Sequence, residues 1–326
     1  MNPTKETIIF NEALHLELTP PKTVKTLEFD EVVFPYQSKG DFKGFAYSEP
    51  FRLLSDTGVS ECRSILKREK DLIKQTQRSL SQGGLVYRSK FICDLLFSPS
   101  LCALFSEMAN VEIWPNNMHN RSSQANYSDP KSSAKVDLWH VDSVDYVCVI
   151  ILSDIKDMEG GELQVLELID RELRPGVVAT SDILAHKDKI RTVNYPGPGY
   201  CIFMQGSMIK HGVNPVRRAS EPRITLVNSY SPLDVFIPDR TEPYVYTIDS
   251  HHVRSIEYTR HKARRCEGQL QYMHSLIQRG EQFEDCELEY ALESASAELH
   301  EAARKLREKD RALNRLANSA RSSTET

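Results

Sequence analysis

His140 and Asp142 stand two residues apart, directly ahead of the apolar run Tyr146-Val147-Cys148-Val149-Ile150-Ile151-Leu152. On a strand, residues i and i+2 point the same way, whereas on a helix they diverge by about 200°. A strand here would turn an imidazole and a carboxylate to one side together, two-thirds of a metal site. The third ligand is available in His211, within Lys210-His211-Gly212-Val213. Two neutral imidazoles and one carboxylate leave a divalent ion with a single net positive charge and open positions for other ligands. That set suits Fe(II) held on one face of an octahedron, and it also suits Zn(II) in a hydrolase, so the three residues alone leave the metal open.

A second group follows in Arg223-Ile224-Thr225, at the head of a β-branched run. Strand alternation puts Arg223 and Thr225 on one face, offering a guanidinium fork and a hydroxyl to one carboxylate. An inward-facing arginine calls for an anion, because a buried unpaired charge is costly. The alternative is a surface arginine bridging to Glu221 or Asp234.

The elements that would position these groups read as short strands punctuated by glycine and proline. Val111–Trp114 is one, and a short strand carrying Gln124, Asn126 and Tyr127 runs through the otherwise loop-like 116–136. Gly160-Gly161 turns into a strand from Leu163 to Ile169. Pro198-Gly199 precedes Tyr200–Met204, and a turn at 214–222 feeds Arg223–Tyr230. This is the pattern of a sandwich or jelly roll. Ahead of it, Thr7–Phe10 and Glu31–Phe34 read as β-rich pieces. Residues 51–80 and Phe91–Met108 read as helical, the latter with a start signal at Ser98-Pro99. Residues 170–192 read as a polar insertion that could serve as a lid.

After about Ser250 the pattern changes to two helices broken near Gly280. The second carries a heptad-like stripe, Leu288, Leu292, Ala295, Leu299, Ala302, Leu306, Leu313 and Leu316, interrupted at Lys309. Residues 281–301 are acidic and 304–315 mostly basic, a pattern suited to orienting a partner helix. Two arrangements are open, an αα-hairpin folded back over the barrel and a homodimer through a coiled coil; the interruptions favour the hairpin. The expected division is 1–250, with N-terminal helices and strands to 110 and the jelly-roll core over 111–250, then a helical tail, 251–326.

Composition narrows the partners. With 27% charged residues and net charge −5, no broad basic face is expected for nucleic acid. No apolar run reads as approaching the roughly 20 residues that span a bilayer, so no membrane partner is expected. The start of the chain lacks the basic, apolar and small-residue succession of a secretory signal. Seven scattered cysteines without a C-x-x-C pair suit a reducing, cytoplasmic setting. His119 and His186 fall in loop-like segments, His251-His252 in a surface turn, and Trp139 beside the site as a packing residue.

Taken in order, Trp139-His140-Val141-Asp142, Gly160-Gly161-Glu162-Leu163, Pro198-Gly199, His211-Gly212-Val213-x-Pro215-Val216 and Arg223-Ile224-Thr225-Leu226 resemble the core of Fe(II)/2-oxoglutarate-dependent dioxygenases. The prolyl-hydroxylase-like and phytanoyl-hydroxylase-like branches are the nearest, and the likeness covers about residues 110–232. It implies a mainly β fold, a double-stranded β-helix (jelly roll, cupin-like) with flanking helices, to which the C-terminal helical extension is added. It also implies iron ligation by His140, Asp142 and His211, and binding of the 2-oxoglutarate carboxylate by Arg223 with Thr225. Tyr127 resembles a residue that helps hold this co-substrate, and Gln124 and Asn126 are weaker candidates. The implied reaction consumes O2 and 2-oxoglutarate to oxidise a C–H bond, by hydroxylation, desaturation or ring closure. A small-molecule substrate such as an amino acid or specialised metabolite is expected. The rivals are a protein (prolyl-type) hydroxylase, a non-catalytic jelly-roll interaction protein, and a cupin-type enzyme without 2-oxoglutarate. Tyr200 departs from the acidic residue frequent after this glycine. Asp142, which halogenating relatives replace, is retained.

Overall fold

Alternation in the strand behind the His140 motif sets the architecture. Val147, Val149 and Ile151 turn to one side, into a cluster with Ile202, Met204, Leu163, Val165 and Val193. Cys148, Ile150 and Leu152 turn to the other, into a second cluster with Phe203, Leu226, Tyr230 and the N-terminal helices. A strand apolar on both faces must be covered on both, and here a second sheet covers one face and helices the other. The computed structural model describes residues 8–27, 44–75, 80–128, 138–168, 176–178, 183–243, 248–279 and 285–322. The chain divides into two compact units, Met1–Ile248 and Asp249–Thr326.

Eight strands form the core of the first unit: β1 (Ser123–Ser128), β2 (His140–Val141), β3 (Tyr146–Ile151), β4 (Leu163–Leu166), β5 (Ile190–Val193), β6 (Tyr200–Met204), β7 (His211–Val213) and β8 (Arg223–Pro232). They are divided between two antiparallel sheets, every successive pair crossing from one to the other except β4 and β5, which are paired neighbours. The larger has the order β6-β3-β8-β1 at its centre, and the smaller has β2-β7-β4-β5. Successive strands crossing from sheet to sheet make a double-stranded β-helix, as expected. The larger sheet is extended beyond β1 by Leu80–Gln82 and Ile73–Gln75, and beyond β6 by Phe45–Ser48 and Val24–Thr26. The smaller gains Gly176–Val177, which pairs with β2.

Three helices back the larger sheet: α1 (Asp56–Arg68), α2 (Lys90–Leu96) and α3 (Pro99–Ala109). Ser55, Ser89 and Ser98 cap them, each side chain accepting a backbone N–H of the first turn; such caps stabilise a helix by about 1 kcal/mol. The segment Lys90–Ala109 is long and apolar enough to cross a membrane by composition, which the reading of the apolar runs missed. It breaks in two at Ser98, and Phe91, Ile92, Leu95, Leu101 and Phe105 are core residues.

Several expectations change. Ile8–Phe10 is irregular and leads into the short helix Glu12–His15, and Glu31–Phe34 lies outside the described residues. Among the described residues of 51–80, the helix is α1 followed by a 3-10 turn at Lys70–Leu72, with strands at Phe51–Arg52 and Ile73–Gln75 and another starting at Leu80. The polar insertion is shorter than 170–192, because Ile190–Val193 is core strand β5. Its Arg191 and Thr192 are exposed on an edge strand, and that polarity hid it.

The second unit comprises α4 (His251–Arg279) and α5 (Asp285–Ser322); Gly280 lies outside the described residues. The helices pack antiparallel, Lys262 pairing with Glu298 and Lys305 lying over the Tyr258 ring.

Candidate metal centre

β2 and β7 are neighbours, and their register places His211 directly opposite His140. On the other side of β7, His211 is opposite Val165, an interior residue, so both imidazoles face into the barrel. The ring centroids are 4.2 Å apart. Asp142 lies just past β2, where its N–H donates to the Gly206 carbonyl. Its Oδ1 is 3.4 Å from His140 Nε2 and its Oδ2 3.5 Å from His211 Nε2. Among the described residues this is the one group of three whose ligand atoms converge, all within 4.8 Å.

The donor set fits a divalent ion. His140 Nδ1 is 2.7 Å from the Leu138 carbonyl, and His211 Nδ1 is 2.9 Å from that of Ile209. A carbonyl only accepts, so each Nδ1 carries the proton and each Nε2 turns a lone pair inward. Donors about 2.1 Å from an ion and at right angles lie about 3.0 Å apart, close to the spacing observed.

Gly206 makes room for the carboxylate. A Cβ there would stand 2.1 Å from Asp142 Oδ2 and 2.9 Å from its Cγ, so the turn after β6 approaches the ligand as only glycine can.

Arg223 is 5% exposed and Thr225 is buried. Thr225 pairs with Ile151 and Val227 with Val149, and these are interior residues, so Arg223, Thr225 and Val227 share the interior face. The surface alternative for Arg223 does not hold. Glu221 is engaged instead by Arg63 of α1, whose Nη1 donates to Oε1 at 2.8 Å and to the Leu152 carbonyl at 3.0 Å. The Arg63 hydrogen bonds lower the Glu221 carboxyl below the ordinary glutamate value.

The Gly160-Gly161 turn completes the Arg223 setting. Both glycines have positive φ, +83° and +79°. A Cβ at Gly160 would meet the Pro215 carbonyl oxygen at 1.8 Å, and one at Gly161 the Arg223 Cδ at 3.0 Å. The turn is therefore packing space for the loop and the arginine that follow β7.

Tyr127 requires a correction. It pairs with Ile224, and both pack against the helix-side core. Its hydroxyl donates to Gln82 Oε1, while Gln82 donates to the carbonyls of Leu66 and Glu69. It is on the wrong face to hold a ligand inside the barrel. Asn126 and Gln124, opposite Thr225 and Val227, share the interior face instead.

Tyr195 was missed. It is buried in the interior cluster, and its hydroxyl donates to the Val149 carbonyl at 3.3 Å. Burial pushes its phenol well above the ordinary value, with the Arg223 charge pulling the other way. Read as part of a Tyr-Pro-Gly turn, it is also two residues past Val193, in phase with the interior positions of β5. That phase was the available signal.

Of the other singled-out residues, His119 is not in an open loop. It begins a helical turn, half-buried, with its ring against Phe97 and Tyr87. His186 is exposed. Trp139 is half-buried, and its carbonyl accepts from Val178.

No family model matches the sequence, and no curated protein matches it. Solved structures do match. The non-heme alpha-ketoglutarate-dependent carbocyclase SnoK from nogalamycin biosynthesis is 17% identical over 58% of this chain and 81% of its own, with a TM-score of 0.45. HygX from Streptomyces hygroscopicus, solved with nickel and 2-oxoglutarate bound, is 15% identical over 58% and 83%, with a TM-score of 0.41. An oxidoreductase of the 2OG-Fe(II) oxygenase family from Burkholderia pseudomallei is 17% identical over 54% and 79%, with a TM-score of 0.38. These solved structures are matched over part of this chain at TM-scores below 0.5.

Proposed function

We propose that this chain is an Fe(II)/2-oxoglutarate-dependent oxygenase that oxidises a C–H bond of a small molecule, an amino acid or a specialised metabolite. The observation that carries this reading is the composition of one barrel interior. Two Nε2 lone pairs and a carboxylate converge there, and a buried arginine shares the interior with a threonine. A zinc hydrolase would need the first group but not the second.

When bound, Fe(II) and 2-oxoglutarate supply the oxidising chemistry, with O2 as oxidant and succinate and CO2 as by-products. The chain's own part is positioning. His140, His211 and Asp142 would hold the ion, with the Leu138 and Ile209 carbonyls fixing ring tautomer and orientation. Arg223 would take the distal carboxylate through its planar fork, and Thr225 would donate a further hydrogen bond. Asn126 replaces Tyr127 as the β1 side chain on the co-substrate face. Val147, Val149, Ile151, Ile202 and Met204 share that interior and would keep water from a bound co-substrate, which strengthens such charge contacts. The retained Asp142 speaks against halogenation. The scattered cysteines, none of them in a C-x-x-C pair, support a cytoplasmic setting.

Anaerobic titration with Fe(II) and 2-oxoglutarate tests the assignment. A weak visible charge-transfer band is expected in the wild type, absent in Asp142→Ala and reduced in Arg223→Ala. A wild-type protein without the band would sink it.

A further inference from the structure

The hairpin of the second unit is held together by the less apolar side of its longer helix. Against α4, α5 buries Ala291, Ala295, Glu298 and Ala302. Glu298 pairs with Lys262 and, at 2.7 Å, with Arg265, and Cys266 Sγ donates to the Ala295 carbonyl at 3.6 Å. The leucines lie elsewhere. Leu292 and Leu299 are 52% and 55% exposed, and Leu306 and Leu313 continue their seven-residue spacing. At about 100° per residue Leu292 and Leu299 lie about 80° from the alanine seam, and the seven-residue stripe drifts back toward it by about 20° per heptad. On α4, Ile256, Leu270 and Ile277 are 45–53% exposed, and with Ala263 they too recur every seven residues. Because the helices are antiparallel and right-handed, the two stripes fall on the same side of the hairpin. The heptad stripe legible in the sequence is therefore split: Ala295 and Ala302 close the hairpin, and Leu292 and Leu299 are left outside.

We propose that this aliphatic face binds the same face of a second copy of the chain, making an isologous four-helix bundle of two hairpins. The inference does not depend on the oxygenase reading. The occupant is argued from charge. From Asp285 to Glu301, α5 carries six carboxylates and no lysine or arginine; from Arg304 to Arg315 it carries six basic residues against Glu308 and Asp310. A parallel pair would set acid against acid. An antiparallel pair crossing at Leu299 sets the acidic half of each helix on the basic half of the other, as a two-fold axis requires. It brings Leu292 of one copy against Leu306 of the other, with the exposed Glu293 facing the exposed Arg307. Aliphatic residues at seven-residue spacing with complementary flanking charges are the pattern that pairs helices in bundles.

Sedimentation equilibrium of the full chain, at concentrations from one to a hundred micromolar, tests this. Twice the chain mass is expected for the wild type and the chain mass for the Leu292→Glu/Leu299→Glu variant, with helical circular dichroism unchanged in both. Glu293→Arg should weaken dimerisation several-fold, and Glu293→Arg with Arg307→Glu should restore it. In a Cys286→Ser background, Leu299→Cys should oxidise to a covalent dimer, because its sulfurs meet at the axis. A monomeric wild type at all concentrations would overturn the proposal, whether the face is then covered by another protein, a lipid surface or nothing. A dimer that survives the leucine substitutions would overturn it too, and failure of the charge swap to rescue would overturn the antiparallel register.

Discussion

Replacing Gly206 with alanine should disable the metal centre without unfolding the barrel. The added Cβ would stand 2.1 Å from Asp142 Oδ2, where ordinary contact begins near 3.4 Å. The carboxylate or the turn must therefore give by about 1.3 Å, and metal–ligand distances tolerate about 0.2 Å. The turn cannot simply retreat, because the Gly206 carbonyl accepts the Asp142 N–H at 3.0 Å. Swinging the carboxylate away opens its approach to both Nε2 atoms, so metal affinity should fall by about 10- to 100-fold, the range for lost support of a ligand. Anaerobic calorimetric titration with Mn(II) or Co(II) reads this directly, and thermal unfolding of the apoprotein checks that the fold survives. Gly197→Ala is the control, since a Cβ there meets nothing within 4 Å. A Gly206→Ala protein that binds Co(II) with wild-type affinity and the wild-type visible spectrum would refute the reasoning.

Arg223→Leu should leave Mn(II) binding intact and weaken 2-oxoglutarate binding by about 2–5 kcal/mol, the loss when one partner of a buried charge pair is removed; a change under fivefold in the titrated Kd would contradict the carboxylate role. Tyr127→Phe should lower stability by about 1 kcal/mol in denaturant titration, through loss of the bond to Gln82, while Asn126→Ala should raise the 2-oxoglutarate KM with stability little changed. Gly160→Ala should destabilise the fold by about 1–3 kcal/mol, because both positive φ and the Pro215 carbonyl oppose it. Glu221 has a depressed folded pKa, so its tie to Arg63 stabilises fully above the unfolded glutamate value of about 4.3 and is lost as pH falls through the folded one. Wild type should therefore melt above Glu221→Gln near neutrality, and the gap should close in acid; a gap independent of pH would rule out the carboxylate's charge as its origin.

What was legible in the sequence was the part governed by strong local signals. Val147 to Leu152 announces a strand covered on both faces, and the glycine and proline turns around 160, 199 and 214–222 mark where the chain crosses between sheets. β5 gave no such signal, because Arg191 and Thr192 sit on an edge strand with solvent beside them, and polarity there resembles a loop. The tail shows the reverse failure. A single apolar stripe was visible on α5, yet at 3.6 residues per turn a broad stripe serves two partners. Which of Leu292 and Ala295 faces α4 is decided by the close approach that alanine permits and by the Lys262–Glu298–Arg265 cluster, neither of which periodicity records.

The site divides along the same line. His140, Asp142, His211 and Arg223 were legible as candidates because each is charged or of a metal-ligating type and stands at the mouth of an apolar strand, and the first three converge in the structure. Tyr127 was misplaced by one residue of phase. On β1 the interior positions are fixed by pairing with β8, where Thr225 meets Asn126 and Ile224 meets Tyr127. Choosing between them from sequence means knowing that register. The β8 pattern already contained half of it: if Arg223 and Thr225 face inward, Ile224 faces the helices, and whichever β1 residue pairs with it must face them too. A ring beside Ile224 would pack against the helix-side core, and an amide beside Thr225 would reach the cavity. The arginine therefore determines the face of its neighbours as well as its own, and Asn126→Ala against Tyr127→Phe is the comparison that tests this.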